Sequence, residues 1–244
     1  MTKGQEIKSK IANDIMSLSK EAMSNLNGLI QRYEKIDDSF DGIKLSKNYT
    51  LLNQDENILL YGGKYSGKSF CCIEKIVCEA LGYGRSSVFV LNRNSLLKTR
   101  AFDVVKEYCL VNGVDCEFAY NNIRREIVFS NGAKIKFRIA EAYTYDKEMF
   151  FYEYIFIDAI EQISEKNLKD LIRKTPCNKI LATISDLRVQ ISQYHLDLFP
   201  IKIRLTIENN EFATELDYKM LECYKNADSK RYQEVRYGIS ELWK

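Results

Sequence analysis

Residues 62–69, "GGKYSGKS", fit the pattern G-x-x-x-x-G-K-[ST]. Residue types at this spacing suit phosphate. Glycines let successive backbone N–H groups turn toward phosphate oxygens, a following helix N-terminus favours negative charge, Lys68 reaches the β- and γ-phosphates, and Ser69 serves magnesium. Gly62, Gly63, Lys64, Tyr65, Ser66, Gly67, Lys68 and Ser69 therefore read as a cradle for ATP, with Mg2+ as its companion. Far downstream, "YIFIDAIEQIS" ends an apolar run in Asp158, where a carboxylate can hold the magnesium hydration shell beside Ser69. Its alternative role is to cap the next helix. The following position, where many such hydrolases place the glutamate that orients the attacking water, is Ala159. A methyl group accepts no hydrogen bond, and losing a positioned base costs about 10²- to 10⁴-fold in rate. Glu161 reaches back as the base if the chain turns helical at once; otherwise it is a solvated or helix-start charge. The expectation is a chain that binds ATP and hydrolyses it poorly.

Alternating strands and helices must position these groups. "NILLYG" (57–62) reads as a strand, followed by the Gly-rich turn and a helix to about residue 82; "SSVFVLNR" (86–93) is a second strand, with a helix over about 95–111. In "REIVFSNGAKIKFRIA" two alternating runs flank Asn131-Gly132, which predicts a hairpin with a type I′ turn and positive φ at both residues. Further strands are expected at 154–158, 178–185 and after Pro200. A helix is expected over 164–175, and two polar helices over 212–237, ending at Gly238. Residues 5–35 read as one or two helices with apolar residues three and four apart. The expected organisation is a helical lead-in (1–48), an α/β core (49–207) and a helical lid or linker (208–244).

Composition narrows the class. At 244 residues, 45% hydrophobic and 29% charged, the chain suits one sizeable globular domain with an appendage. It has no apolar run of about 18 residues to span a bilayer and no signal-peptide pattern, so a cytoplasmic setting without membrane is expected. Cysteines 71, 72, 78, 109, 116, 177 and 223 include no C-x-x-C pair, which argues for reduced, packed thiols rather than a zinc site. His195, the only histidine, leaves little room for a Ser-His-Asp or Cys-His enzyme. A net charge of +2 means that nucleic-acid contact would rest on local patches.

Taken in order, "LLYGGKYSGKSF", "VLNRNSLLKTRAFDVVKE", "IVFSNGAKIKF", "EYIFIDAIEQIS", "LATIS" and the tail from Leu216 resemble the ATPase domain of the large terminase subunit, the DNA-packaging motor of tailed bacteriophages. The likeness covers about residues 50–244. It implies a P-loop NTPase of the additional-strand type: a mainly parallel central sheet flanked by helices, with an antiparallel hairpin insertion and a small helical lid. It also implies ATP-driven translocation of double-stranded DNA into a procapsid by a homo-oligomeric ring on the portal protein, monomeric in solution before assembly. A small terminase subunit and a separate nuclease would be further partners, and the setting would be the host cytoplasm.

By the same resemblance Lys64 stands where the family often has a γ-phosphate-sensing arginine, though lysine lacks the planar fork; otherwise it is a solvated loop lysine. Arg173 or Arg188 would act on a neighbour's ATP as a finger. Thr183 and Ser185 match the coupling motif, or are strand hydroxyls satisfied locally. Lys134, Lys136 and Arg138, with Arg124 and Arg125 nearby, form a row that would track DNA phosphates, or a solvated edge strand with protective lysines. Two departures stand out: the chain stops where the family's nuclease domain would begin, as a natural short motor or an excised domain would, and Ala159 replaces the family's glutamate. A lone Glu-to-Ala change looks like an ATP trap, and a naturally degenerate site would look the same. Two alternatives stand beside the motor: a nucleotide-gated ring or assembly subunit without turnover, and another P-loop helicase or loader.

Overall fold

Short apolar runs rich in β-branched and aromatic residues build one eight-stranded sheet: β1 (Ile58–Gly62), β2 (Ser87–Leu91), β3 (Cys116–Tyr120), β4 (Arg125–Phe129), β5 (Lys134–Ile139), β6 (Tyr152–Ile157), β7 (Cys177–Thr183) and β8 (Ile201–Leu205). The helices are α1 (Lys68–Tyr83), α2 (Ser95–Val111), α3 (Glu165–Lys174), α4 (Gln193–Asp197), α5 (Glu215–Ala227) and α6 (Ser229–Tyr237). This computed structural model describes residues 43, 45–91, 95–120, 125–140 and 151–238. The chain divides into two units, Met1–Asp41 and Gly42–Lys244. The lead-in helices expected over 5–35, Arg124 and the tail beyond Gly238 lie outside the described residues.

Strand order is β3-β4-β5-β2-β6-β7-β1-β8. Pairings from β5 through β8 are parallel, and only β3–β4 and β4–β5 are antiparallel. The strand leading to Asp158, β6, does not neighbour β1; β7 lies between them. That intervening strand is what the additional-strand architecture means. Parallel strands covered on both faces should read as continuous apolar runs, and every residue of "SVFVL" in β2 is buried. Strand alternation sorts two cores. Leu60, Phe89, Phe137, Phe156 and Leu181 cluster with α1 and α2, whereas Leu59, Val90, Ile155, Ile157 and Ala182 cluster with Leu168 and Leu171 of α3.

Helix α1 follows Gly67, which takes a left-handed φ of 79°, and ends at Gly84, also left-handed. Gly84 N–H donates to Ala80 O and Arg85 N–H to Glu79 O, a closure that satisfies the last carbonyls. Helix α3 opens on Ser164, whose side chain accepts the Asn167 N–H at 3.3 Å. His195 is buried: Nε2–H donates to Ile163 O at 2.9 Å and Nδ1 lies 2.7 Å from Ser192 Oγ, which makes it a packing residue.

Two expectations need correction. Asn131 is not left-handed; among the turn residues only Gly132 has positive φ, 86°. Gly132 N–H donates to Phe129 O and Phe129 N–H to Ala133 O, so the loop has three residues, a turn through Ser130 and Asn131 followed by a left-handed glycine. The reason is long-range: Asn131 Nδ2 donates to Ala80 O at 2.7 Å and Leu81 O at 3.0 Å, while its Oδ1 accepts the Ala133 N–H. The asparagine is occupied closing α1. Second, β5 is no edge strand. It lies between β4 and β2, and β3, not anticipated from sequence, forms the outer edge.

Candidate functional site

Strands β1, β6 and β7 run parallel and end on one side of the sheet, the side where open α/β folds hold ligands. Beyond β1 the backbone is closely packed. A Cβ on Gly62, at φ 132°, would lie 1.9 Å from Leu205 O, and one on Gly63 would lie 2.4 Å from Arg236 O. Gly63 N–H donates to Leu205 O at 3.1 Å and Lys64 N–H to Val235 O at 2.6 Å, which straps the loop to β8 and α6. Tyr65 (φ 56°) and Gly67 (φ 79°) are then left-handed, a backbone turn of the kind from which anion nests are built. No side chain caps the first turn of α1, which leaves its N–H groups and helix dipole available to an anion.

Lys68 is buried, and its Nζ donates to Gly63 O at 2.6 Å and to Ser66 Oγ at 3.1 Å. Burial pushes its pKa down to about 8, opposed by the charges of Asp158 and Glu161. Ser69 Oγ donates to Asp158 Oδ1 at 2.7 Å, and Thr183 Oγ1 donates to the same oxygen at 2.6 Å. Ala159 N–H in turn donates to Thr183 Oγ1 at 3.0 Å. Ser69, Asp158 and Thr183 therefore converge from three elements. Asp158 does not cap the following turn: that turn's N-cap is Ala159, in a left-handed conformation without a side-chain bond.

The pair Ser69 and Asp158 fits magnesium, which takes one or two protein oxygens and completes its shell with phosphates and water. Among the described residues no group of three or more His, Cys, Asp or Glu side chains could hold a metal alone.

Glu161 is neither a solvated charge nor a simple helix-start charge. Its Oε1 accepts the N–H groups of both Ser185 and Asp186 at 3.0 Å, and its buried Oε2 has no hydrogen-bond partner among the described residues. Burial is the main cause that lifts its pKa to about 7, with a smaller push from Asp158. The carboxylate ties the end of β6 to the segment after β7, the one read as a coupling motif. Thr183 is fully buried and its hydroxyl is satisfied locally, by Asp158. Ser185 is exposed and enters the arrangement through its backbone N–H.

Other predicted residues fall as follows. Lys64 is exposed but not merely solvated: its Nζ donates to Tyr224 OH at 3.2 Å and sits 5.4 Å from that ring's centroid, a contact with α5. Helix α3 starts at the site end of β6 and leads back to the start of β7, so Arg173, paired with Asp170 at 3.0 Å, lies at the far end of the sheet. Arg188 grips Asp186 next to the Glu161 tether, holding that carboxyl down at about 2. Lys136 is buried, with Nζ 5.8 Å from the Tyr152 ring centroid, while Lys134 and Arg138 are half-buried. The middle lysine of the row is therefore buried, and its strand is interior to the sheet. Arg125 is likewise half-buried, on β4.

Sequence reasoning missed the clasps around the loop. Asn210 Nδ2 donates to Tyr65 O at 2.9 Å, and Arg231 of α6 bonds Glu234 at 3.1 Å and approaches Asp186 at 3.9 Å. The Asn210–Tyr65 and Arg231–Asp186 contacts join residues far apart in the chain, and no local pattern announces them.

The model for the family described as phage terminase large subunit matches residues 54–184. Among solved structures, the large terminase of the thermophilic bacteriophage D6E in complex with ATP-gamma-S aligns with TM-score 0.59 at 12% identity, over 80% of this chain and 52% of that one. The D6E protein with ADP gives 0.57 at 13%, over 78% and 52%, and the HK97 bacteriophage large terminase gives 0.55 at 9%, over 84% and 54%. At these identities the likeness is one of fold. The chain spans about half the length of those proteins. No curated protein sequence matches it.

Proposed function

Since the chain belongs to the phage terminase large subunit family, whose model matches more than half of it, we propose that it is the ATP-driven motor for packaging double-stranded DNA. The observation that carries this reading is the convergence of Ser69 and Thr183 on Asp158 beside a P-loop whose lysine is buried. In this reading Gly62 to Ser69 would hold the triphosphate, and Ser69 and Asp158 would hold magnesium, which when bound would supply charge neutralisation for phosphoryl transfer. The chain's own residues then do the rest. Lys68 exchanges its loop carbonyls for phosphate oxygens, and Thr183 fixes the Asp158 carboxylate. Glu161 passes movement at the site to residues 183–186, and from Asp186 to Arg231 on the lid helix.

Hydrolysis is proposed to be impaired, because no side chain at Ala159 can orient water. The motor would work as a homo-oligomeric ring at the procapsid portal in the host cytoplasm, joined by a small subunit and a nuclease; none of the described helices is long and apolar enough to cross a membrane. Arg188, beside Asp186, is better placed than Arg173 to act across subunits, because it stands at the nucleotide end of the sheet.

The test is ATP turnover with duplex DNA and portal-bearing procapsids, using the Ala159→Glu chain so that turnover is measurable. Stimulation by procapsids without unwinding of a forked duplex is the expected result. Unwinding of the fork, or turnover indifferent to procapsids, would contradict it.

A further inference from the structure

The order β6-β7-β1-β8 gives the phosphate cradle two flanks. On the β7 and β6 flank stand Thr183, Asp158 and Glu161, the groups that suit the terminal phosphate and its metal. With the terminal phosphate placed there, the remainder of a nucleotide would leave over the other flank, toward β8. There the chain after β8 turns through Ile207–Asn209 and crosses the loop. Asn210 fastens that crossing: Nδ2 donates to Tyr65 O at 2.9 Å, Oδ1 accepts the Phe212 N–H at 3.1 Å, and its side chain fills the space a Cβ on Gly67 would meet at 3.3 Å.

Phe212 is thereby set against Phe70, the residue after Ser69, with ring centroids 5.2 Å apart; Phe70 in turn meets the edge of Tyr108 at 5.5 Å. Tyr108 is buried at the back of this row, and Phe212 at its front is 38% exposed. Tyr65, 39% exposed, holds a left-handed φ of 56° that bulky residues avoid, and the Asn210 bond to its carbonyl helps to keep it there. Two partly exposed rings, held by one asparagine, thus stand on the β8 side of the loop.

We propose that Phe212, backed by Phe70 and positioned by Asn210, is the platform on which the base of the bound nucleotide stacks. An aromatic face suits any base but gains most from the large purine ring system, so the site would take adenine by stacking rather than by edge recognition. This rests on the nucleotide-site reading above.

The experiment compares Mg-ATP with Mg-tripolyphosphate, which has the phosphates and no base, by calorimetric titration of the full chain, Phe212→Ala and Phe212→Tyr. Phe212→Ala should weaken ATP roughly tenfold and leave tripolyphosphate unchanged, with Phe212→Tyr restoring ATP. Unchanged ATP affinity in Phe212→Ala, or equal loss of both ligands, would overturn the platform. If the unaltered chain bound tripolyphosphate and ATP equally, the base would contribute nothing and only the platform would fall. If it bound neither, the phosphate cradle would fail together with the platform.

Discussion

Ala159→Glu should raise ATP turnover by about 10²- to 10⁴-fold while leaving ATP affinity nearly unchanged, because a positioned base acts on the chemical step. The position is suited to the change. Residue 159 directly follows Asp158, its N–H is held by Thr183 Oγ1 at 3.0 Å, and it is only partly buried, so a longer side chain has somewhere to go. Its φ of 58° and ψ of 61° are left-handed, which costs alanine and glutamate alike about 1–2 kcal/mol, so the substitution adds no large backbone penalty. Glu161 is the rival carboxylate. One of its oxygens already takes two backbone N–H groups, which holds the side chain against the segment after β7. Steady-state phosphate release from both chains decides between them: equal, rapid turnover would move the base to Glu161.

Asp158→Asn should make ATP binding respond about 10- to 100-fold less strongly to magnesium, a loss of the size seen when a group supporting a metal is removed. The amide oxygen can still accept from Ser69 and Thr183, which donate at 2.7 Å and 2.6 Å, so the local fold should survive. Only the charge is lost. ATP affinity measured across magnesium concentrations, with melting temperature as control, checks this. Unchanged magnesium dependence would return Asp158 to a structural role, and a collapse in melting temperature would show that its charge holds the three elements together.

Much of this site was legible because its requirements are local. A cradle of backbone N–H groups needs its glycines, lysine and serine consecutively, so residues 62–69 announce it, and an apolar strand ending in aspartate marks Asp158. Strand and helix alternation likewise exposed the parallel sheet. What sequence could not show depends on partners distant in the chain. Asn131-Gly132 has the composition of a type I′ turn, but a bond from Asn131 to Ala80 selects another. Lys134, Lys136 and Arg138 alternate like a solvated face, but the middle lysine is buried and their strand is not at the sheet edge. Glu161 looked like a surface charge because the N–H groups it accepts belong to residues 185 and 186, on a different strand's exit.

Residues 62–69 should bind a triphosphate, which equilibrium titration of Mg-ATP into the full chain and its Lys68→Ala variant measures. Lys68 is a buried cation held within 3.3 Å of two loop carbonyls, in place to trade them for phosphate oxygens. Saturable binding of one ATP per chain is expected, weakened roughly 100-fold in the variant as a charge-assisted contact is lost. Absence of saturable binding by the unaltered chain, or equal affinity in the variant, would contradict it.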